Sequence, residues 1–407
     1  MRRRRLVPVL LLFVAAALVT AACSGPGGAP ILANPTAVRP SLPPPTQPPV
    51  ATTDPLPVVL PRDDSAHDRL TEWWYYTGHL RDATGGRYGF EFVVFRAERG
   101  RFPTSWASHL AITDEDGDRF LYGQRVEVGP GVDRLASAAV AAGSPPAPAG
   151  FDLALTGVDV AAPTATARPA WSMAGSGGTD TLVAAFAPDE AALAGSPGGL
   201  GLDLRLEAIK PAALHDHDGW IDFGPAGGSY YYSRTAMAAT GTLTLDGRRL
   251  AVDGAAWFDH QWGDFISVGG GGWDWFAVNL DDGTDLTLSL VRDADGTYPL
   301  VYGTVVAPDG TVRHLDRDAF EVEVTDRWTS PATGADYPAA WTIRIPGDDL
   351  VIRLHPTVAA QELDTRSTTG VVYWEGSQVV EATRAGNALG GQGYVELTGY
   401  AGAGTGS

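Results

Sequence analysis

Alternation with a period of two residues constrains this chain more than any other feature of its sequence. Phe90, Phe92 and Val94 alternate with Glu91, Val93 and Phe95. Leu153 and Leu155 alternate with Asp152 and Ala154, and Leu202, Leu204 and Leu206 with Asp203, Arg205 and Glu207. Successive side chains of a strand face opposite ways, so such runs read as half-buried strands. Turn-forming pairs punctuate them: Gly85-Gly86, Asp116-Gly117, Asp246-Gly247, Asp253-Gly254, Asp282-Gly283, Asp295-Gly296 and Asp309-Gly310. These supply the positive-φ positions that tight hairpins need. Only Asp189 to Ala194 reads as helical. Many short strands with regular turns predict an all-β protein, a sandwich or a barrel.

A weak internal repeat organises the strands into halves. Trp73-Trp74-Tyr75-Tyr76-Thr77-Gly78-His79-Leu80-Arg81-Asp82 compares with Trp273-Asp274-Trp275-Phe276-Ala277-Val278-Asn279-Leu280-Asp281-Asp282. Each is an aromatic strand entering an Asp-and-Gly turn, and each is followed by a second alternating strand. A chain of 407 residues has room for two cores. The predicted division is residues 61–265 and residues 266–407, with the glycines Gly269 to Gly272 at the junction.

Ahead of these halves the composition changes. Met1-Arg2-Arg3-Arg4-Arg5 precedes an apolar run from Leu6 to Ala22, the pattern of a signal peptide over residues 1–23. Its end, Val19-Thr20-Ala21-Ala22-Cys23, resembles a bacterial lipobox, and Cys23 is the sole cysteine. An intramolecular disulfide is therefore ruled out, while acylation gives that cysteine a purpose. Residues 24–60 are rich in Pro, Gly, Ala and Thr and read as an extended tether. A formal charge of −19 gives no electrostatic attraction to nucleic acid or anionic lipid. Membrane association is expected through lipidated Cys23, on the outer face of the cell membrane or envelope. Past the leader no stretch approaches the ~20 apolar residues of a spanning helix.

The densest chemistry lies in Ala256-Trp257-Phe258-Asp259-His260-Gln261-Trp262-Gly263-Asp264-Phe265. In a strand Phe258, His260 and Trp262 share one face, and Trp257, Asp259 and Gln261 the other. An acid or imidazole facing an apolar interior must find a partner or shift its pKa. Asp259 or His260 can thus serve as proton donor in a dry cavity walled by Trp257 or Trp262. Equally, Asp259 can cap backbone N–H groups while His260 sits satisfied in the core. Glu72, beside Trp73 and Trp74, is either an acid kept neutral by burial or a carboxylate pairing near a strand start. His215-Asp216-His217-Asp218 offers ligand-type side chains but reads as a surface loop rather than a metal site. Ser229-Tyr230-Tyr231-Tyr232-Ser233-Arg234 is an aromatic strand able to aim hydroxyls into a cavity. Phosphate loops, nucleophile elbows and helical zinc motifs are missing from the sequence.

Four blocks together resemble one family: Glu72-Trp73-Trp74-Tyr75-Tyr76-Thr77-Gly78-His79-Leu80, Ser229-Tyr230-Tyr231-Tyr232-Ser233, Trp257-Phe258-Asp259-His260-Gln261-Trp262-Gly263 and Tyr394-Val395-Glu396-Leu397-Thr398-Gly399-Tyr400. It is the lipocalin-like family of the carotenoid 1,2-hydratases (hydroxyneurosporene synthases) and the AttH-type proteins. The resemblance runs from about Pro61 to Tyr400 and implies two consecutive lipocalin-like β-barrels around an apolar cavity. It also implies a hydrophobic small-molecule ligand and no redox cofactor; no cofactor and no metal are expected. Hydrating an isoprenoid double bond needs an acid in a dry pocket and π faces around a transient cation. On this resemblance Asp259, His260 and Trp262 are the expected catalytic residues, and Trp257, Tyr231, Trp74, Tyr76 and Glu72 the expected ligand-binding ones. The competing expectation is a non-catalytic carrier of a lipid or pigment at the cell envelope.

Overall fold

The computed structural model describes residues 54–142, 149–157, 168–265 and 271–401. Cys23, the leader and the tether up to residue 53 lie outside the described residues. Strands β1 (Thr71–Asp82), β2 (Arg87–Ala97), β3 (Ser105–Asp114) and β4 (Arg119–Val128) form a meander. After helix α1 (Arg134–Ala141) come β5 (Phe151–Leu155), β6 (Trp171–Ser176) and β7 (Thr179–Ala185). Helix α2 (Pro188–Leu193) leads to β8 (Leu200–Ala208), the short β9 (Ala213–Leu214) and β10 (Trp220–Asp222), then the long β11 (Gly228–Leu245) and β12 (Arg248–Gly263).

The second series repeats the plan. It opens with β13 (Gly272–Leu280), β14 (Asp285–Arg292), β15 (Leu300–Val306) and β16 (Val312–Asp316). It continues with β17 (Glu321–Thr329), β18 (Asp336–Ile345), β19 (Leu350–Pro356) and the short β20 (Glu362–Asp364). It ends on β21 (Val372–Arg384) and β22 (Asn387–Thr398). The first sheet runs β4-β3-β2-β1-β12-β11-β8-β7-β6-β5, and the second β16-β15-β14-β13-β22-β21-β19-β18-β17. In each, the last strand returns to pair antiparallel with the first, curling the sheet into a lipocalin-like barrel.

Local chemistry explains the closing hairpins. Asp246-Gly247 joins β11 to β12 and Ala385-Gly386 joins β21 to β22, all four residues at positive φ. Two such residues form the tight turn whose twist matches its strands. Asp253-Gly254, read from the sequence as a further turn, lies instead inside β12. A Cβ on Gly254 would stand 1.9 Å from the His79 carbonyl oxygen, so this glycine permits a close approach of β1. The first barrel stops short of a continuous ladder between β4 and β5. Arg125 spans that gap, donating to the Leu155 carbonyl at 3.1 Å and to Glu190 at 2.8 Å while lying 4.3 Å over the Trp171 ring.

Each barrel has its own apolar core, one including Trp74, Phe92, Trp171 and Phe258, the other Phe276, Trp341 and Trp374. A third apolar group, Tyr75, Val93, Trp257, Trp275, Ala277 and Tyr394, lies between the barrels. Both faces of β1 and of the second half of β12 are therefore covered, one in the barrel and one in the seam. The end of the expected tether is also fixed in place. Arg69 pairs with both Asp54 oxygens at 2.8 Å, and Tyr230 donates to Asp54 at 2.6 Å.

Candidate functional site

The ladder between β1 and β12 sets the geometry. Glu72 stands opposite Trp262, Trp74 opposite His260, Tyr75 opposite Asp259 and Tyr76 opposite Phe258. From Glu72 to Tyr76 and from Trp257 to Trp262, even-numbered residues point into the first barrel and odd-numbered ones into the seam. The expected catalytic trio is therefore divided, with His260 and Trp262 on one face of the sheet and Asp259 on the other.

Inside the barrel, Glu72 is the centre of a polar cluster. Its Oε1 lies 2.8 Å from His67 Nδ1 and 3.0 Å from His260 Nε2, and its Oε2 accepts the His67 backbone N–H at 2.9 Å. The His67 ring stacks on Trp262 at 4.0 Å, and the His260 ring on Trp74 at 4.7 Å. Burial alone would favour a neutral Glu72. The His67 charge and the hydrogen bonds from both imidazoles outweigh burial and hold the carboxyl at about 2. Of the two readings of Glu72, this is the carboxylate pairing at a strand start: His67 lies five residues before it and His260 188 residues after it. Burial pushes His260 down, against the pull of Glu72. Tyr76 faces the same interior and donates to Asp180 at 3.0 Å.

The seam carries the opposite electrostatics. Asp259 Oδ2 accepts the Tyr231 hydroxyl at 2.6 Å, and its Oδ1 accepts Trp257 Nε1 at 2.6 Å together with the Ser233 hydroxyl. Trp275 of the second barrel donates to the Tyr231 oxygen at 3.0 Å. Burial raises the Asp259 carboxyl to about 7, a rise that the Ser233, Tyr231 and Trp257 hydrogen bonds only reduce. Tyr75 crosses the seam to Glu375 at 2.6 Å. Burial and then the neighbouring Glu396 and Glu91 drive Glu375 well above the ordinary carboxylate range. Burial, and after it Glu396, does the same to Glu91, and burial lifts Glu396 itself to about 7. Glu91 Oε2 and Glu375 Oε2 are buried with no hydrogen-bond partner among the described residues. Four carboxyl groups that resist ionisation thus share the seam.

At Trp257 the seam opens into a cleft lined by Gly78, Ala256, Trp257, Ala277, Gly393 and Tyr394 among others. Small residues from both barrels make the opening; a Cβ on Gly78 would lie 2.5 Å from the Ala255 carbonyl oxygen. Trp257 links cleft and acid, forming the wall of one and donating to the other.

Of the expected site residues, Asp259, Trp257 and Tyr231 come together in the seam, while His260, Trp262, Trp74, Tyr76 and Glu72 gather in the first barrel. His67, Glu91, Glu375, Glu396 and Trp275 were missed by sequence reasoning. For Glu396 a signal existed, since alternation within Tyr394-Val395-Glu396 puts it on the face of Tyr394. The His215 segment is only partly the expected surface loop: Asp216, His217 and Asp218 are exposed, but His215 is buried between Ser233 at 2.7 Å and Thr304 at 2.9 Å.

Residues 51–400 match the family described as AttH-like. The chain belongs to that family. An AttH structure from Nitrosomonas europaea superposes on this AttH-like chain with a TM-score of 0.68 at 27% identity, covering 85% of this chain and 98% of that one. The fold of kievitone hydratase from Nectria haematococca is shared at a TM-score of 0.60 and 16% identity, over 85% of this chain and 94% of that one. The dehydratase asqC of Emericella nidulans is 26% identical over 163 residues, 37% of the AttH-like chain and 45% of asqC. The match thus spans less than half of that relative's length.

Proposed function

We propose that this AttH-like protein is a hydro-lyase that adds water to a C=C bond of an apolar, isoprenoid substrate, in the manner of a carotenoid 1,2-hydratase, with Asp259 as the acid. The observation that carries the reading is a fully buried carboxyl group, raised to about 7, held by Trp257, which also lines an interbarrel cleft. Protonated Asp259 gives its proton to the alkene carbon that leaves a tertiary cation. Water attacks the cation, and its surplus proton returns to the Asp259 carboxylate, so the acid is regenerated. Trp257, a wall of the cleft, presents a π face to the cation, with Trp275 and Tyr231 packed behind it. A positioned acid of this kind contributes about 10²–10⁴ in rate, most effectively when its pKa is near the working pH. The relatives named for hydratase and dehydratase activity support the reaction class. The leader and Cys23 support export and lipid anchoring at the outer face of the membrane, where apolar molecules are at hand.

One observation favours a second reading, a carrier of a hydrophobic lipid or pigment. Both Asp259 oxygens are already engaged by donors from the protein, as a structural carboxyl would be. Full-length protein in detergent, offered lycopene or neurosporene in heavy-oxygen water, separates the two. The hydro-lyase reading expects a labelled alcohol from the wild type and none from Asp259→Asn, with binding retained by both. Saturable binding without product supports the carrier, and neither binding nor product overturns both readings.

A further inference from the structure

We infer that His67, Glu72 and His260 form a divalent-cation site of the zinc type at one end of the first barrel, separated by the sheet from the seam that holds Asp259. One ligand atom from each residue can be chosen so that all three lie within 4.8 Å of one another. Two imidazoles and one carboxylate are a ligand set that zinc uses where a fourth position stays open. At zinc bond lengths near ~2.1 Å, tetrahedral ligand atoms stand about 3.4 Å apart. Glu72 Oε1 already lies 2.8 and 3.0 Å from the two imidazole nitrogens, so a small outward movement makes room for the ion.

The supports around the ligands are already in place. Glu72 and His260 are on paired strands, which fixes their separation, and His67 is five residues before Glu72. Trp262 and Trp74 stack on the two rings and set their planes. The outer nitrogen of His67 lies at an ion-pair distance of 3.8 Å from Asp63, a carboxylate that a shift on metal binding would bring into hydrogen-bond reach. Access is also provided: Glu72 and His260 are fully buried, whereas the His67 side chain is 20% exposed and leaves a way in from solvent. Arg96 Nη1, 3.8 Å from Glu72 Oε2, engages the oxygen that does not face the imidazoles. With no ion bound, the same residues form an ion-paired cluster that holds the site together.

Full-length protein stripped with a chelator and titrated with Co²⁺ and then Zn²⁺ tests the site without any activity assay. The wild type should take up one cobalt with the intense visible absorption of a low-symmetry four-coordinate ion, and zinc should displace it. Glu72→Gln and His260→Asn should each weaken zinc binding by more than about 100-fold, beyond the 10–100-fold typical of an outer contact. Zinc should raise the melting temperature of the wild type but not of Glu72→Gln, which also shows whether that variant is folded. His217→Ala is the control, because His217 and His314 form an imidazole pair at 4.2 Å that could take up metal by itself. Cobalt absorption lost in His217→Ala, or equal zinc affinity in wild type and Glu72→Gln, overturns the inference.

Discussion

Asp259 and His260 are consecutive in β12 yet face different interiors, Asp259 meeting Tyr231 in the seam at 2.6 Å and His260 meeting Glu72 in the barrel at 3.0 Å. The ladder with β1 holds this division, for a slip of one residue would exchange the two faces. Two polar clusters of opposite character follow. Around Glu72 cations favour the ionised form of the carboxyl, and around Asp259 burial favours the neutral form.

Hydration should depend on the protonated form of Asp259. The rate is expected to be highest below about 7 and to fall as pH rises through that value. A pH profile of kcat/KM checks this. Asp259→Asn should lower kcat by about 10²-fold or more while leaving substrate binding in place.

Stability should follow the same carboxyl with a definite sign. The unfolded chain releases the Asp259 proton near ~3.9, while the folded chain keeps it to about 7. Between those values the folded state holds the extra proton, so stability falls as pH rises and levels off above about 7. Glu396, also raised to about 7, adds to the fall. Glu72 acts in the other sense: its contribution is present above 4.5 and is lost as pH falls toward about 2. Denaturant midpoints measured from pH 3 to 9 should therefore peak near about 4 to 5, and Asp259→Asn should flatten the alkaline decline.

Tyr231→Phe removes the hydroxyl that donates to Asp259 and accepts from Trp275. The buried Trp275 N–H is left without its acceptor, at a cost of about 1–3 kcal/mol by denaturant unfolding. Asp259 loses a hydrogen bond that had favoured its ionised form, so the alkaline limb of the activity profile should move to higher pH.

Glu375→Gln should be tolerated, although Glu375 is buried and bonded to Tyr75. A carboxyl held neutral by burial and by Glu396 and Glu91 is close in shape and charge to an amide, which cannot ionise at all. The melting temperature at pH 8 should equal or exceed that of the wild type. Cys23→Ala, in contrast, should leave folding unchanged and move the protein from the membrane fraction to the soluble exported fraction.

Alternation made the opposed faces of Phe258-Asp259-His260 legible in the sequence, because period two depends on nothing outside the strand. What each face meets was not legible. The second partner of Glu72, His260, is 188 residues away, so local reading could not show that the carboxyl stays ionised. Helix α1 escaped notice because it is only eight residues long and buries none of them; only Asp133, capping the Ala136 N–H, marks its start. Gly254 misled in the opposite direction, since a glycine admitting a neighbouring backbone has the same letter as one in a turn.

The protonation of Asp259 is the claim on which the chemistry rests, and difference infrared spectroscopy reads it directly. Spectra of the wild type minus Asp259→Asn, collected between pH 4 and 9, should contain the carbonyl band of a protonated carboxyl that disappears with a midpoint of about 7. A midpoint near ~4, the ordinary value of an aspartate in water, would contradict the account.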